Sequence, residues 1–270
     1  MKEPMNEQAI DLIDIGVNLV HKRFAGDLEA VLQRAREAGV RRMVVTGVDG
    51  AGSESAAELA GKHPGMLWST AGVHPHHADD WDAELRRRIA RLAVQPMVAA
   101  IGETGLDFNR NFSAPKAQER AFADQLELAV ETGLPVFLHQ RDAHGRFLDI
   151  LRDYRDHLVD AVAHCFTGGR EELWPYLDLD LHVGVTGWIC DDKRGAALRE
   201  CVADVPPSRL MIETDAPFLT PRDLSPKPKN GRNEPAFLPH VLEAVARHTG
   251  RPPEQVARET AATAERFFRF

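Results

Sequence analysis

Apolar runs alternate with amphipathic segments along the whole chain. Eight of them read as strands: "AIDLID", "RRMVVTGV", "MLWSTAGVHP", "MVAAIGETG", "LPVFLHQ", "DAVAHCF", "LHVGVTGW" and "RLMIETD". Most lack the in-and-out alternation of a strand with one wet face, so they read as parallel strands covered on both sides, although "DAVAHCF" alone also suits a short helix. After the first run, Leu28, Val31, Leu32 and Ala35 recur at helical spacing, with Asp27 at the N-cap and Gly39 as the stop. Trp81, Leu85, Ile89 and Leu92 form a second stripe. Phe122, Leu126, Ala129 and Val130 form a third, in a helix opened by Pro115.

Eight β–α units in 270 residues predict a closed (β/α)8 TIM barrel, a fold of about 250 residues. An open doubly wound sheet is the alternative, weakened because no G-x-G-x-x-G follows the first strand. Linkers and low-complexity tracts are absent. The expected organisation is one domain over residues 1–270, with 1–8 as a loose polar tail.

In such a barrel the C-terminal ends of the strands share one mouth, and catalytic residues gather there. The first run ends in Asp14, followed by Gly16 and Asn18. The third ends in His74, the fourth in Glu103, the fifth in His139, the sixth in His164, and the eighth in Glu213 and Asp215. A single histidine at a strand end is commonly a hydrogen-bonded structural residue. Imidazoles and carboxylates converging from several ends are the donor set of a divalent metal site, with a buried polar network as the competing reading.

Composition narrows the setting. No apolar stretch approaches the roughly 20 residues of a membrane-spanning helix, and the opening "MKEPMNEQ" lacks the apolar core of a secretory signal. Three cysteines without a C-x-x-C pair suggest neither a disulfide framework nor a thiolate zinc site, and fit a reducing cytoplasm. A net charge of −8 argues against a broad basic surface for coating nucleic acid, but leaves room for a local basic cleft.

The motifs "DIGVNL", "STAGVHPHH", "AIGETGLDFNRNFS", "PVFLHQRDAH", "HCFTG", "GVTGWICDD", "IETDAPFLTPRDL" and "RNEPAFLPH", in this order and spacing, resemble the TatD family of metal-dependent deoxyribonucleases, within the metal-dependent hydrolase group of barrels. "DIGVNL" and "LDFNRNFS" resemble its bacterial branch of magnesium-dependent 3′-to-5′ exonucleases on single-stranded DNA and RNA. The resemblance implies metal ligands at Glu103, His139 and His164, with Asp215 as a further ligand and the catalytic acid–base group. It also implies a role for Glu103 in catalysis, a phosphate contact at His74, Mg2+ or Mn2+ as cofactor, and a function in DNA repair or turnover. The implied partner is single-stranded DNA or RNA with a free 3′ end, bound by a monomer without a membrane.

Many relatives of this type carry His-x-His where Gly16 and Asn18 stand, so two nitrogen donors are missing. Asp14 and Asn18 are possible oxygen ligands in their place, and Glu213 is a candidate to orient the ligands. Restoring the histidines as Gly16→His with Asn18→His is expected to raise affinity for zinc or manganese. His76 and His77 read as surface residues, Gln140 as pointing away from the mouth, and Cys165 as a small core residue. Arg222, Lys227, Lys229 and Arg232 in "PRDLSPKPKNGRNEP" are a candidate phosphate track, or simply a solvated loop. Phe108, Trp188 and Phe218 could stack bases or pack the core. A metal-dependent amide or lactone hydrolase and a non-catalytic barrel with a degraded metal site remain as alternatives. Many hydrolases of the first kind bridge two ions with a modified lysine on the fourth strand, where this chain has Glu103.

Overall fold

The computed structural model describes residues 11–228 and 230–270; the expected tail at 1–8 and Lys229 lie outside the described residues. Eight parallel strands stand in sequence order, each paired with the next: β1 (Leu12–Val17), β2 (Val40–Val45), β3 (Leu67–Ala71), β4 (Val98–Asp107), β5 (Val136–Arg141), β6 (Ala161–Ala163), β7 (His182–Val185) and β8 (Leu210–Ile212). The ring closes at its C-terminal end. There the Asn18 amide donates to the Ala216 carbonyl at 2.7 Å, and the Asp215 amide to the Gly16 carbonyl at 2.9 Å.

Helices alternate with the strands: α1 (Leu28–Glu37), α2 (Gly50–Lys62), α3 (Ala83–Ala93), α4 (Pro115–Thr132), α5 (His144–Tyr154), α6 (Arg170–Asp178), α7 (Ala196–Cys201), α8 (Leu238–Thr249) and α9 (Pro253–Phe268). The three stripes read from the sequence face inward, except that Val130 at the edge of its stripe is exposed. Asp27 occupies the N-cap of α1 without a capping hydrogen bond, because its carboxylate is engaged by Arg34 and Arg232. "DAVAHCF" forms the short strand β6.

The interior and the lower end are apolar. Ile13, Ile15, Val44, Ala100, Phe137, Val162 and Met211 share one cluster with Phe267 and Phe268 of α9, so the C-terminal helix lies against the barrel's filling. Burying each of these phenylalanines contributes on the order of 1.5–3 kcal/mol. A packed bottom leaves the C-terminal mouth as the place for chemistry. Among the described residues no helix is long and apolar enough to cross a membrane.

Two boundaries move functional residues: β4 runs past Glu103 to Asp107, and β1 past Asp14 to Val17. β1 runs to Val17 because the apolar positions continue through Ile15 and Val17, so Asp14 lies within the strand and not at its end. Its side chain is fully buried.

Candidate metal centre

The centre is built around one carboxylate. Glu103 sits in β4 between Gly102 and Gly105, after a cis Gly102–Glu103 peptide. Both glycines have φ near +143°, a backbone region that disfavours side chains. A Cβ at Gly105 would fall 1.9 Å from the His139 carbonyl oxygen, and one at Gly102 would fall 2.4 Å from that of Phe137. The two glycines therefore let β4 lie close against β5, bringing Glu103 beside His139.

Oε1 of Glu103 lies 2.9 Å from His139 Nδ1, 2.8 Å from His164 Nε2 and 3.3 Å from His74 Nε2. Burial would raise the Glu103 carboxyl, but the positive charge on His164 and the hydrogen bonds from His139 and His164 outweigh it and hold the group well below the carboxylate range. For His164 the signs reverse. Burial disfavours its charged form, yet Glu103 and Glu213 hold its pKa well above the usual histidine value. His74 follows burial and falls to about 4, so at neutral pH it is uncharged.

Supporting groups surround this core. Glu213 is fully buried; its Oε2 stands 3.3 Å from His164 Nδ1, and its Oε1 accepts the Cys165 amide. Glu213 thus orients His164 from behind. On the other side Asp107, also buried, places Oδ2 2.8 Å from His76 Nε2 and 3.6 Å from His139 Nε2. The ring of His76 packs edge-on against those of His74 and Phe112. Asp215 follows β8 with φ 53°, and its Oδ1 accepts a 2.9 Å hydrogen bond from the Asn18 side-chain amide. Burial, with Glu103 and Glu213 nearby, raises Asp215 to about 7.

The residues fit a divalent cation. His74, Glu103 and His139 each offer a ligand atom within 4.8 Å of the others, and among the described residues buried His139 Nε2 has no hydrogen-bond partner. Three neutral-capable imidazoles around a carboxylate form a ligand set that otherwise leaves ring nitrogens short of partners. The centre opens into a cavity of about 690 Å³, rimmed by Arg110, Arg141, Trp188 and Phe218.

The TatD related DNase family matches residues 13–269. The chain belongs to that family. A protein named 3′-5′ ssDNA/RNA exonuclease TatD from Erwinia billingiae (strain Eb661) is 51% identical over 258 residues, covering 96% of this chain and 99% of the relative. The protein of that name from Citrobacter rodentium (strain ICC168) is 52% identical over 257 residues, covering 95% and 97%. Among solved structures, YJJV, a TatD homolog from Escherichia coli k12, superposes with a TM-score of 0.88 at 26% identity, covering 97% of this chain and 99% of that one. The barrel is thus that of a TatD-type hydrolase with a candidate site for a divalent metal.

For this family member, the sequence brings together Glu103, His139, His164, His74, Glu213 and Asp215, but several readings change. Asp14 is not at the centre: its carboxyl accepts the Thr214 amide at 2.9 Å and the Gly16 amide at 3.3 Å, and also bonds the Thr214 hydroxyl. Asn18 offers its amide nitrogen to Asp215. Arg232 is withdrawn from the phosphate track, because its guanidinium is buried against Asp27, Glu234 and the Arg23 carbonyl. Arg222 is exposed, with Nε 3.5 Å from Asp191, and Lys227 is exposed; neither borders the cavity.

His76 is no plain surface residue, since it bonds Asp107 and borders the cavity; His77 is exposed at the rim. Cys165 also borders the cavity, because β6 stops at Ala163 and the chain turns at Cys165 with φ 47°. Gln140 borders it too, held by Tyr176 and the Ala143 amide. Trp188 stacks beneath Arg194 at 4.2 Å, Phe218 is half-exposed beside His21, and Phe108 packs against the core. Asp107, Arg141 and Phe112 went unread in the sequence. Asp107 and Arg141 lie at even spacing from Glu103 and His139, on the same strand faces. That period was the available signal.

Proposed function

We propose that this chain is a magnesium-dependent exonuclease that removes nucleotides from the 3′ end of single-stranded DNA or RNA. The observation that carries the proposal is the meeting of three imidazoles on one oxygen of Glu103, at the base of a cavity rimmed by arginines. Glu103, His139 and His164 would hold the ion, with His74 and Asp215 completing the ring of donors. A bound divalent ion supplies positive charge against phosphoryl oxygens and acidifies water. Glu103 and Asp215 bring two carboxylates beside the three imidazoles, and Gly16 and Asn18 add no further nitrogen, so the set can admit magnesium or manganese.

The chain's own groups divide the work. Asp215, held by Asn18, orients the attacking water and accepts its proton. Glu213 fixes the ring of His164, and Asp107 faces His76 and His139. Arg110 and Arg141 meet the phosphates of the entering strand, while Phe112, Phe218 and Trp188 offer faces to bases. The relatives' shared name supports the 3′-to-5′ direction and the single-stranded substrate. We place the protein in the cytoplasm as a monomer, a setting that its three free thiols support, with DNA repair or turnover as its use.

Assaying the purified protein with magnesium against end-labelled single-stranded DNA, a carboxylic ester and an amide tests this reading. Shortening of the DNA alone is expected. Turnover of the ester or amide with intact DNA would overturn it in favour of carbonyl hydrolysis, and inertness toward all three would favour a binding protein.

A further inference from the structure

A second group of metal-ligating side chains lies outside the centre. Cys190 ends the 3-10 turn Gly187–Cys190 after β7, Asp223 lies in the loop after β8, and His240 is in the first turn of α8. One ligand atom from each lies within 4.8 Å of the others, and His240 Nε2 is 2.7 Å from Asp223 Oδ1. None of the three borders the 690 Å³ cavity. Cys190 is buried and Asp223 is exposed, so the group runs from a buried end to an open side through which an ion and a water could enter.

We propose that Cys190, Asp223 and His240 form a second cation site selective for zinc over magnesium. Sulfur, nitrogen and oxygen from three side chains plus one water make the tetrahedral set that zinc takes, and the sulfur discriminates against magnesium. Loading releases the Cys190 thiol proton to solvent and exchanges the His240–Asp223 hydrogen bond for two bonds to the ion. Thiolate and carboxylate then balance the charge of a divalent ion. Burial and the neighbouring Asp223 carboxylate push the Cys190 thiol up to about 12, against a smaller opposing pull from Arg247 and Arg199, so the arriving ion itself must displace the proton. The bound ion ties three segments that are far apart in sequence. It thereby anchors the loop from Pro221 onward, next to Phe218 and Leu219 at the cavity rim.

The test is cobalt titration of chelator-stripped full-length protein, with excess magnesium added to compete for the barrel centre. The expected result is a thiolate-to-cobalt charge-transfer band in the near ultraviolet that saturates at one equivalent and is displaced by zinc. It should disappear in Cys190→Ser and persist in Cys165→Ser, whose thiol borders the other centre. His240→Ala, at a half-exposed position, should weaken cobalt binding by at least about tenfold through loss of one ligand. Zinc should raise the melting temperature of the parent above that in magnesium alone, and should not do so for Cys190→Ser. Absence of the band, its survival in Cys190→Ser, or unchanged affinity in His240→Ala would overturn the proposal. Should Cys190→Ser fail to fold, the His240→Ala titration decides.

Discussion

A Cβ on Gly16 would fall 2.2 Å from Oε2 of Glu213, the oxygen that faces His164 Nδ1. Gly16 is therefore a space kept for the carboxylate that orients a proposed metal ligand. Gly16→Ala should push Glu213 aside, free the His164 ring and weaken metal binding by about 10–100-fold, the usual cost of losing an orienting partner. The exchange of Gly16 and Asn18 for histidines, which on sequence grounds should add donors, is expected to weaken binding for the same reason. Calorimetric titration with manganese distinguishes the outcomes; unchanged affinity in Gly16→Ala would show that Glu213 does not act through His164.

Asp14 links the strand core to pH. Burial raises its carboxyl to about 8 from an ordinary 3.8, so between those values the folded chain keeps a proton that the unfolded chain has released. Stability then falls as pH rises through that window. In Asp14→Asn the fall from this group should vanish, giving a flatter stability profile between pH 5 and pH 8, roughly the inner part of the window. Urea unfolding at the two pH values would show it. Parallel profiles for parent and variant would mean that Asp14 is ionised in the folded state.

Arg232 should behave as a structural residue. Its guanidinium bridges Asp27 and Glu234 with little exposure, and removing it leaves both carboxylates to the half-exposed Arg34 alone. Arg232→Ala should cost roughly 2–3 kcal/mol, between the values for surface and fully buried pairs. Nuclease activity per folded molecule should be retained. Equal stability with weakened DNA binding would instead return Arg232 to the substrate path.

The cations at the rim should set the salt dependence. With a net charge of −8, binding of a polyanion must rest on the centre and a few local charges. The slope of log affinity against log salt should correspond to only about two to four neutralised phosphates. Arg110→Ala with Arg141→Ala should lower affinity for single-stranded DNA and make the slope shallower. Fluorescence anisotropy across a salt series measures both. A double variant with the parent's slope would place the substrate elsewhere.

Much of this molecule can be read from its sequence because parallel strands covered on both faces leave continuous apolar runs, and each run breaks into polar residues where it meets the mouth. Glu103, His139, His164 and Asp215 stand at such breaks. Asp14 was misplaced because the hydrophobic run passes through it, and a shift of a few residues in a strand boundary separates a mouth residue from a buried one. Asp107 escapes a sequence reading because β4 continues through "GETG", whose glycines read as a stop in one dimension and allow close strand contact in three; without that partner, His76 reads as a surface residue. The fate of Arg232 depends on Asp27, 205 residues away. No local pattern announces such a pair.

The most direct test of the central claim is to incubate 5′-labelled single-stranded DNA with magnesium and either the parent or Glu103→Ala, resolving the products by length over time. The parent should give a ladder of labelled fragments that shorten stepwise from the 3′ end. Glu103→Ala should leave the strand intact while remaining folded, since the apolar filling of the barrel below the mouth is unchanged. Immediate release of the label as a mononucleotide, scattered internal cuts, or parent-like digestion by Glu103→Ala would contradict the account.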